Sequence, residues 1–467
     1  MVFTSHVFLF GFLPITLLGY WGLRSDRMRL GWLTLASYVF YAAWSWKYLP
    51  LMLASTCTDF AAGRLIARSQ SPAVRRAALI GALTTNLGLL LIFKYAGFFA
   101  DATDGFLAAM GISGKPVPIV HLVLPLGISF YTFNSMSYTI DVYRRRLAPE
   151  ESLLRYCAFV ALFPHLIAGP IVRYEQLKHQ LSRLHPRLTA DMASRGLFFL
   201  SCGCAKKLLI ADSLAPDLSR LYAHHAHLGL TAAWLAALGY ALQLYFDFSG
   251  YSDIAVGLAL LLGLDFPQNF NSPYKAVNIA DFWRRWHISL STWIRDYLYI
   301  PLGGSRGGTA SAARNLAIVM LLGGLWHGAA ATFVVWGAIH GALLAGHAVL
   351  RARGWTPSSH VFNRLVTFVL VTAAFVVFRS SSLQSAGDVL GSMIGLGGIE
   401  PRSAVAALLE TRFTLTILAL LVFVNFVPNT WELRFNGSYT KGLAYGFLLA
   451  SAILAIAGPS PFLYYQF

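Results

Sequence analysis

Charge is what this sequence has least of. Only 12% of its 467 residues are Asp, Glu, Lys or Arg, against roughly a quarter in a soluble globular domain. That scarcity, with 57% hydrophobic residues and a mean hydropathy of +0.59, excludes an ordinary soluble enzyme and marks a polytopic membrane protein. The net charge of +16 is therefore no sign of nucleic-acid binding. In a membrane protein such an excess belongs first to cytoplasmic loops rich in Lys and Arg. Cysteine is nearly absent too. Cys57, Cys157, Cys202 and Cys204 lie in or beside apolar runs, and Cys202-Gly-Cys204 lacks the second pair that a zinc site needs. No metal site is expected. Internal repeats, low-complexity tracts and a separate soluble domain are also missing, so residues 1–467 read as one integral-membrane domain. The N-terminus has neither a basic leader nor a small-residue cleavage site and reads as an uncleaved first span.

What is present is a succession of apolar runs punctuated by arginine. Spans are expected at about 7–23, 30–46, a third after a turn near 47–50 and running to about 66, 78–99 and 122–143. Basic clusters follow the first (Arg24, Arg27, Arg29), the third (Arg64, Arg68, Arg75, Arg76) and the fifth (Arg144, Arg145, Arg146). The second and fourth are followed by loops poor in basic residues, the latter holding Asp101 and Asp104. This alternation predicts an outside N-terminus, and counting back from the basic stretch at Arg351 and Arg353 puts the C-terminus outside as well. Both termini are then periplasmic if the membrane is a bacterial inner membrane. Residues 153–173 carry Pro164 and Pro170 and are flanked by basic residues on both sides, so they read as a re-entrant or interfacial helix pair. His165 within them reads as structural. Lys206-Lys207 predicts a short or interrupted span near 196–210. His224, His225 and His227 read as a solvated loop. The polar insert DFSGYSDIA, with Asp247, Ser249, Tyr251 and Asp253, suggests a water-filled cavity or helix caps. Further spans are expected at about 361–378, 412–426 and 441–457.

The chain is organised around residues 281–341. DFWRRWHISLSTWIRDYLYIPLGG is too polar to face lipid, and its aromatics interleave with Arg284, Arg285, His287 and Arg295. GGLWHGAAATFVVWGAIHG follows, with His327 and His340 deep in apolar sequence. An imidazole there is costly unless it is bonded or used. Just upstream, PQNFNSPY has the chemistry of a turn, with Asn269 and Asn271.

These stretches, with YFDFSGYSDIAVGL, LPLGISFYTFNSMSYTIDVYR and FPHLIAGPIVRY, resemble the membrane-bound O-acyltransferase (MBOAT) family, in its bacterial branch for alginate O-acetylation, over nearly the full length. The resemblance implies an all-α polytopic membrane protein of about ten to twelve transmembrane helices plus re-entrant helices around an hourglass tunnel. It matches His327 to the family's catalytic histidine and His287 to its second motif histidine. Acetyl-CoA is the implied cytoplasmic donor, with no permanently bound cofactor. The implied partner is a periplasmic SGNH-type acetyltransferase with a serine nucleophile, through which an exported polysaccharide such as alginate, cellulose or peptidoglycan is reached indirectly. The implied place is the inner membrane.

Histidine suits the chemistry, because a pKa near about 6.5 lets it take and return a proton at neutrality. A thioester carbonyl also needs a donor for its oxyanion, for which His287 is a candidate. Arg284, Arg285 and Lys275 suit the phosphates of coenzyme A, or serve as plain topology charges. Trp326, His340, Asp281, Trp286, Asn269, Asn271, Asp247, Ser249 and Tyr251 are expected to line the substrate tunnel. The last residues, Phe462-Leu463-Tyr464-Tyr465-Gln466-Phe467, fit F-x-Y-x-x-F. This tail resembles the acyl-transfer motif of small partner proteins associated with the family, which implies that Tyr464 accepts the acyl group; an aromatic interfacial anchor is the other reading. Intramembrane His, Asp and Arg also fit a transporter or flippase of a polar solute, though the paired broken helices of transporter repeats are missing. A scaffold for an export complex is the third reading.

Overall fold

The computed structural model describes every residue except 112–122, 168, 356–358, 400–410, 434–437, 459–461 and 464–467, and omits the side chains of 101, 102, 105, 106 and 109. Among the described residues all regular structure is helical. The chain forms two compact units, Met1–Leu197 with Ala255–Phe266, and Phe198–Ile254 with Pro267–Phe467.

The first unit holds α1 (Leu13–Gly22, entered through a π turn at Val7–Phe12), α2 (Asp26–Ser45), α3 (Leu49–Arg68), α4 (Pro72–Ala109), α5 (Ile128–Tyr143), α6 (Leu153–Ala161), α7 (Phe163–Leu166), α8 (Tyr174–Ser182) and the start of α9 (Ala190–Cys204). The second holds a π turn at Ala205–Ala211, α10 (Asp212–Ala223), most of α11 (Leu230–Leu261), α12 (Ile279–Arg285), α13 (Ile288–Ile294), α14 (Gly308–His327), α15 (Ala331–Ala352), α16 (His360–Arg379), α17 (Leu383–Met393), α18 (Thr411–Phe426) and α19 (Tyr439–Leu454). Four described helices are long and apolar enough to cross a membrane by themselves: α4 over Pro72–Ala100, α14, α15 and α16. Val7–Gly22 and α18 are apolar but shorter. The chain is an all-α polytopic membrane protein.

Most expected spans recur as helices. α4 overruns its expected end and carries Asp104, placed in a loop by sequence, to Ala109. α5 starts late, at Ile128, because Gly127 turns the chain with φ +70°, and a Cβ there would strike the Leu166 carbonyl oxygen. Residues 153–173, expected as a re-entrant or interfacial helix pair, hold α6 and α7, divided at Leu162, with Pro164 tolerated in the first turn of α7. His165 uses both ring nitrogens, Nδ1 on the Asn134 amide at 3.2 Å and Nε2 on the Phe159 carbonyl at 2.9 Å, which fits a structural role.

Two expectations are corrected. Lys206-Lys207 does not interrupt its helix; it rides the π turn that joins α9 to α10 without a break. The carboxylates of DFSGYSDIA are not caps. α11 runs straight through them, and Asp247 and Asp253 meet Lys207 and Lys206, each at 2.6 Å. Buried opposite charges that pair offset each other's desolvation, so neither pair needs a helix end or bulk water.

α14 and α15 form the closest helix pair near the central histidines. Gly324 and Gly337 face each other across it, and a Cβ on Gly337 would lie 2.5 Å from the Met320 carbonyl oxygen. Small residues permit such backbone approach between membrane helices. Gly337→Val is therefore expected to force the pair apart and cost about 1–3 kcal/mol. Gly346→Val, on the same helix where a Cβ meets nothing within 4 Å, should cost little. Thermal unfolding of the two variants in detergent checks the contrast.

Candidate active site

His287 sits in the bend between α12 and α13, in no spanning helix, with φ +44°. A left-handed backbone costs a non-glycine residue about 1–2 kcal/mol and persists where the surroundings over-determine it. Here a clamp does so: the Asn271 N–H donates to the Arg285 carbonyl and the Ile288 N–H to the Asn269 carbonyl, both at 2.9 Å. The Asn269 side chain then fixes the ring. Its Oδ1 accepts from the Ser289 backbone N–H (3.2 Å) and the Ser289 hydroxyl (2.9 Å), and lies 3.1 Å from His287 Nδ1. A backbone N–H only donates, so Oδ1 is the acceptor and Nδ1 carries the proton. His287 is 2% exposed. Burial pushes its imidazole down to about 3, so the ring is neutral and Nε2 holds a free lone pair. A neutral His287 in this tautomer offers an acceptor at Nε2 rather than a donor.

His327 closes α14 and is half-buried. Its ring packs edge-on against Trp326 (4.9 Å), Trp336 (5.0 Å) and Phe378 (5.1 Å). Trp336 also touches His340 at 4.7 Å. His340 is fully buried, and its Nδ1 accepts the Trp283 indole N–H at 3.3 Å, which leaves the proton on Nε2. From His340 the ring contacts continue through Phe282 (6.2 Å), Trp286 (5.6 Å), Phe270 (5.1 Å) and Phe248 (5.0 Å) to His287 (4.6 Å). One aromatic wall thus joins the three imidazoles. Among the described residues, His287 Nε2, His340 Nε2 and Trp336 Nε1 are buried without a hydrogen-bond partner. Each such atom costs about 1–3 kcal/mol unless something meets it.

Other expected site residues fall around this wall in different roles. Asp281 accepts the Val277 N–H and pairs with Arg285 (3.0 Å) and Arg284 (3.4 Å). Lys275 donates to the Val427 carbonyl and Asn271 accepts from Asn429. Arg285 and Lys275 are thus engaged within the protein, and Arg284 is the most exposed of the three basic candidates. Ser249 and Tyr251 are buried on α11, two and four positions after Asp247. Tyr464 lies outside the described residues, but Phe462 and Leu463 just before it do not. Leu463 donates its backbone N–H to Asp247 Oδ2 at 3.0 Å. Phe462 packs on Phe248 (5.1 Å) and Tyr251 (5.0 Å). A separate cavity of about 520 Å³ between α15 and α16 is lined by Asn278, His347, Arg351, Trp355 and His360 among apolar residues, and by none of the three central histidines. The His-rich loop is tied down through His225, 2.8 Å from Asp388.

Residues 143–383 match the membrane-bound O-acyltransferase family. The chain belongs to that family. It is 45% identical, over 85% of its length and 76% of the relative's, to a probable alginate O-acetylase of Pseudomonas syringae pv. tomato. A probable alginate O-acetylase of Pseudomonas putida is 40% identical over the full length of both chains. A peptidoglycan O-acetyltransferase of Helicobacter pylori is 39% identical over 85% of this chain and 81% of its own. The protein is a membrane-bound O-acyltransferase acting toward exported polymers, and the transporter and scaffold readings give way to the enzyme.

Within an O-acyltransferase the residues that sequence reasoning missed are those that hold the histidines. Trp336, Trp283, Ser289 and Phe248 make the ring contacts and bonds described above. Trp336 had a faint signal, as the tryptophan nearest His327 on the following helix. Ser289 had none, because its bond to Asn269 spans twenty positions.

Proposed function

We propose that this acyltransferase moves acetyl groups from cytoplasmic acetyl-CoA across the inner membrane, with His327 as the catalytic base. The observation that carries this reading is the buried set of unpartnered polar atoms on one aromatic wall: a lone pair on His287 Nε2, and N–H groups on His340 and Trp336. A thioester transfer needs both kinds, an acceptor for the nucleophile's proton and donors for the oxyanion. Trp336 Nε1 and His340 Nε2 are the donors, and Trp336 adjoins His327 directly. His287 Nε2 is a second proton acceptor. Arg284 and Arg351, both within electrostatic reach of His347, give the donor's phosphates a cationic approach.

The acceptor in this reading is Tyr464. Its Oη attacks the thioester carbonyl while the phenol proton passes to His327. The C–S bond breaks, and coenzyme A leaves as the thiol with that proton. The serine Oγ of a periplasmic SGNH-type partner then attacks the tyrosyl ester; the C–O bond to Tyr464 breaks, and the proton that the serine gives up returns to the Tyr464 oxygen. The partner carries the acetyl group to the polysaccharide. Support comes from the anchored neighbours, since Phe462 lies two ring contacts from His287.

The test is mass spectrometry of the C-terminal peptide after incubation of the purified protein with acetyl-CoA. An acetyl increment on Tyr464 is expected, and Tyr464→Phe should abolish it together with transfer to the partner. Unchanged transfer in that variant rules the acceptor role out.

A further inference from the structure

We infer that Asp247 is a positioning residue, a latch that holds the C-terminal segment beside the catalytic wall. Its carboxylate is 1% exposed and divided between two duties. Oδ1 takes the Lys207 ammonium at 2.6 Å, and Oδ2 takes the Leu463 backbone N–H at 3.0 Å. Lys207 is itself buried and also meets Asp212 at 2.7 Å. A main-chain donor from the far end of the sequence thus lands on a carboxylate already oriented by a lysine. A charge-assisted bond of this kind is roughly twice as strong as a neutral one. Water, which would compete for the bond, has little access to a carboxylate this deeply buried.

The bond does not act alone. Phe248 and Tyr251, one and four positions after Asp247 on α11, cradle the Phe462 ring, which is 1% exposed. Phe248 also meets His287, with ring centroids 4.6 Å apart. A polar bond and an aromatic seat therefore fix consecutive residues of the tail against the helix that backs the site. Tyr464 is the next residue, and successive Cα atoms are about 3.8 Å apart. Latching the tail converts delivery of its hydroxyl from a search by a free chain end into an intramolecular step, with a high effective concentration. The role of Tyr464 here rests on the acceptor reading above; the anchor at Leu463 does not.

The same helix supplies a matched control. Asp253 forms a second buried pair, with Lys206 at 2.6 Å, and accepts from Thr430 at 2.8 Å. Its loss strips a comparable ion pair from α11 without removing the bond to Leu463. Asp247→Ala leaves Lys207 paired to Asp212, so its cation is not stranded.

Hydrogen–deuterium exchange of the full-length protein in detergent reads the latch. In Asp247→Ala, exchange in the C-terminal peptide containing Leu463 should rise at least about tenfold while peptides of α14 and α15 stay unchanged, as local opening predicts. Asp253→Ala should leave the C-terminal peptide protected. Acetyl label on Tyr464 from acetyl-CoA should fall at least about tenfold in Asp247→Ala only. Unchanged exchange in Asp247→Ala, or the same increase in Asp253→Ala, overturns the latch. If the wild-type tail takes no label, the acceptor reading fails, and the exchange arm still decides whether Asp247 holds the tail.

Discussion

His327→Gln is expected to lower acetyl transfer by about 10²–10⁴-fold, the range that a positioned acid–base group contributes. Glutamine fills much of the same volume and keeps a polar end beside Trp326, Trp336 and Phe378. It has no nitrogen that takes and returns a proton near neutrality. The position is half-buried, so the substitution opens no deep cavity, and the fold should survive. Transfer of label from radiolabelled acetyl-CoA measures the loss, and the thermal unfolding midpoint reports the fold. Full activity in a folded His327→Gln would remove the imidazole from the chemistry.

The second large effect is expected from Asn269→Leu. Leucine keeps the size but cannot accept from His287 Nδ1, the Ser289 N–H or the Ser289 hydroxyl, which all converge on one oxygen. The imidazole then loses the bond that keeps its proton on Nδ1, and Nε2 loses its standing lone pair. The turnover rate should fall about 10²–10³-fold if His287 Nε2 accepts a proton during transfer. Asn269→Asp retains an acceptor oxygen at the same place and should recover much of the rate. That rescue is what a purely structural role would not produce, because a carboxylate buried this deeply (Asn269 is 2% exposed) costs stability. Equal turnover in Asn269→Leu and the wild type would show that His287 needs no fixed tautomer.

The division between what was legible beforehand and what was not follows the kind of signal each feature leaves. The division between α6 and α7 is legible because prolines lie in that stretch. The Lys206-Lys207 interruption was misread because a lysine in an apolar run looks like a breaker until its partner is known. The partner is Asp253 or Asp247, some forty positions further on. Each half of the pair was conspicuous alone, and the pairing was invisible. The seat of Phe462 and Leu463 depends on contacts over more than two hundred positions, and no local pattern encodes these.

By itself the amino-acid sequence determined the solvent of this protein. Few charges, long apolar runs and arginines between them require a membrane, because long apolar helices are unfavourable in water and arginine is unfavourable in the hydrocarbon core. It also singled out His287, His327 and His340 as imidazoles in apolar surroundings. Only the tertiary structure decided what each imidazole offers. The tautomer of His287 is set by Asn269 and Ser289, that of His340 by Trp283, and Leu463 is held by a bond to Asp247. A nitrogen's role as donor or acceptor is a property of its neighbours in space, and hydropathy records which solvent a residue meets rather than which residue it touches.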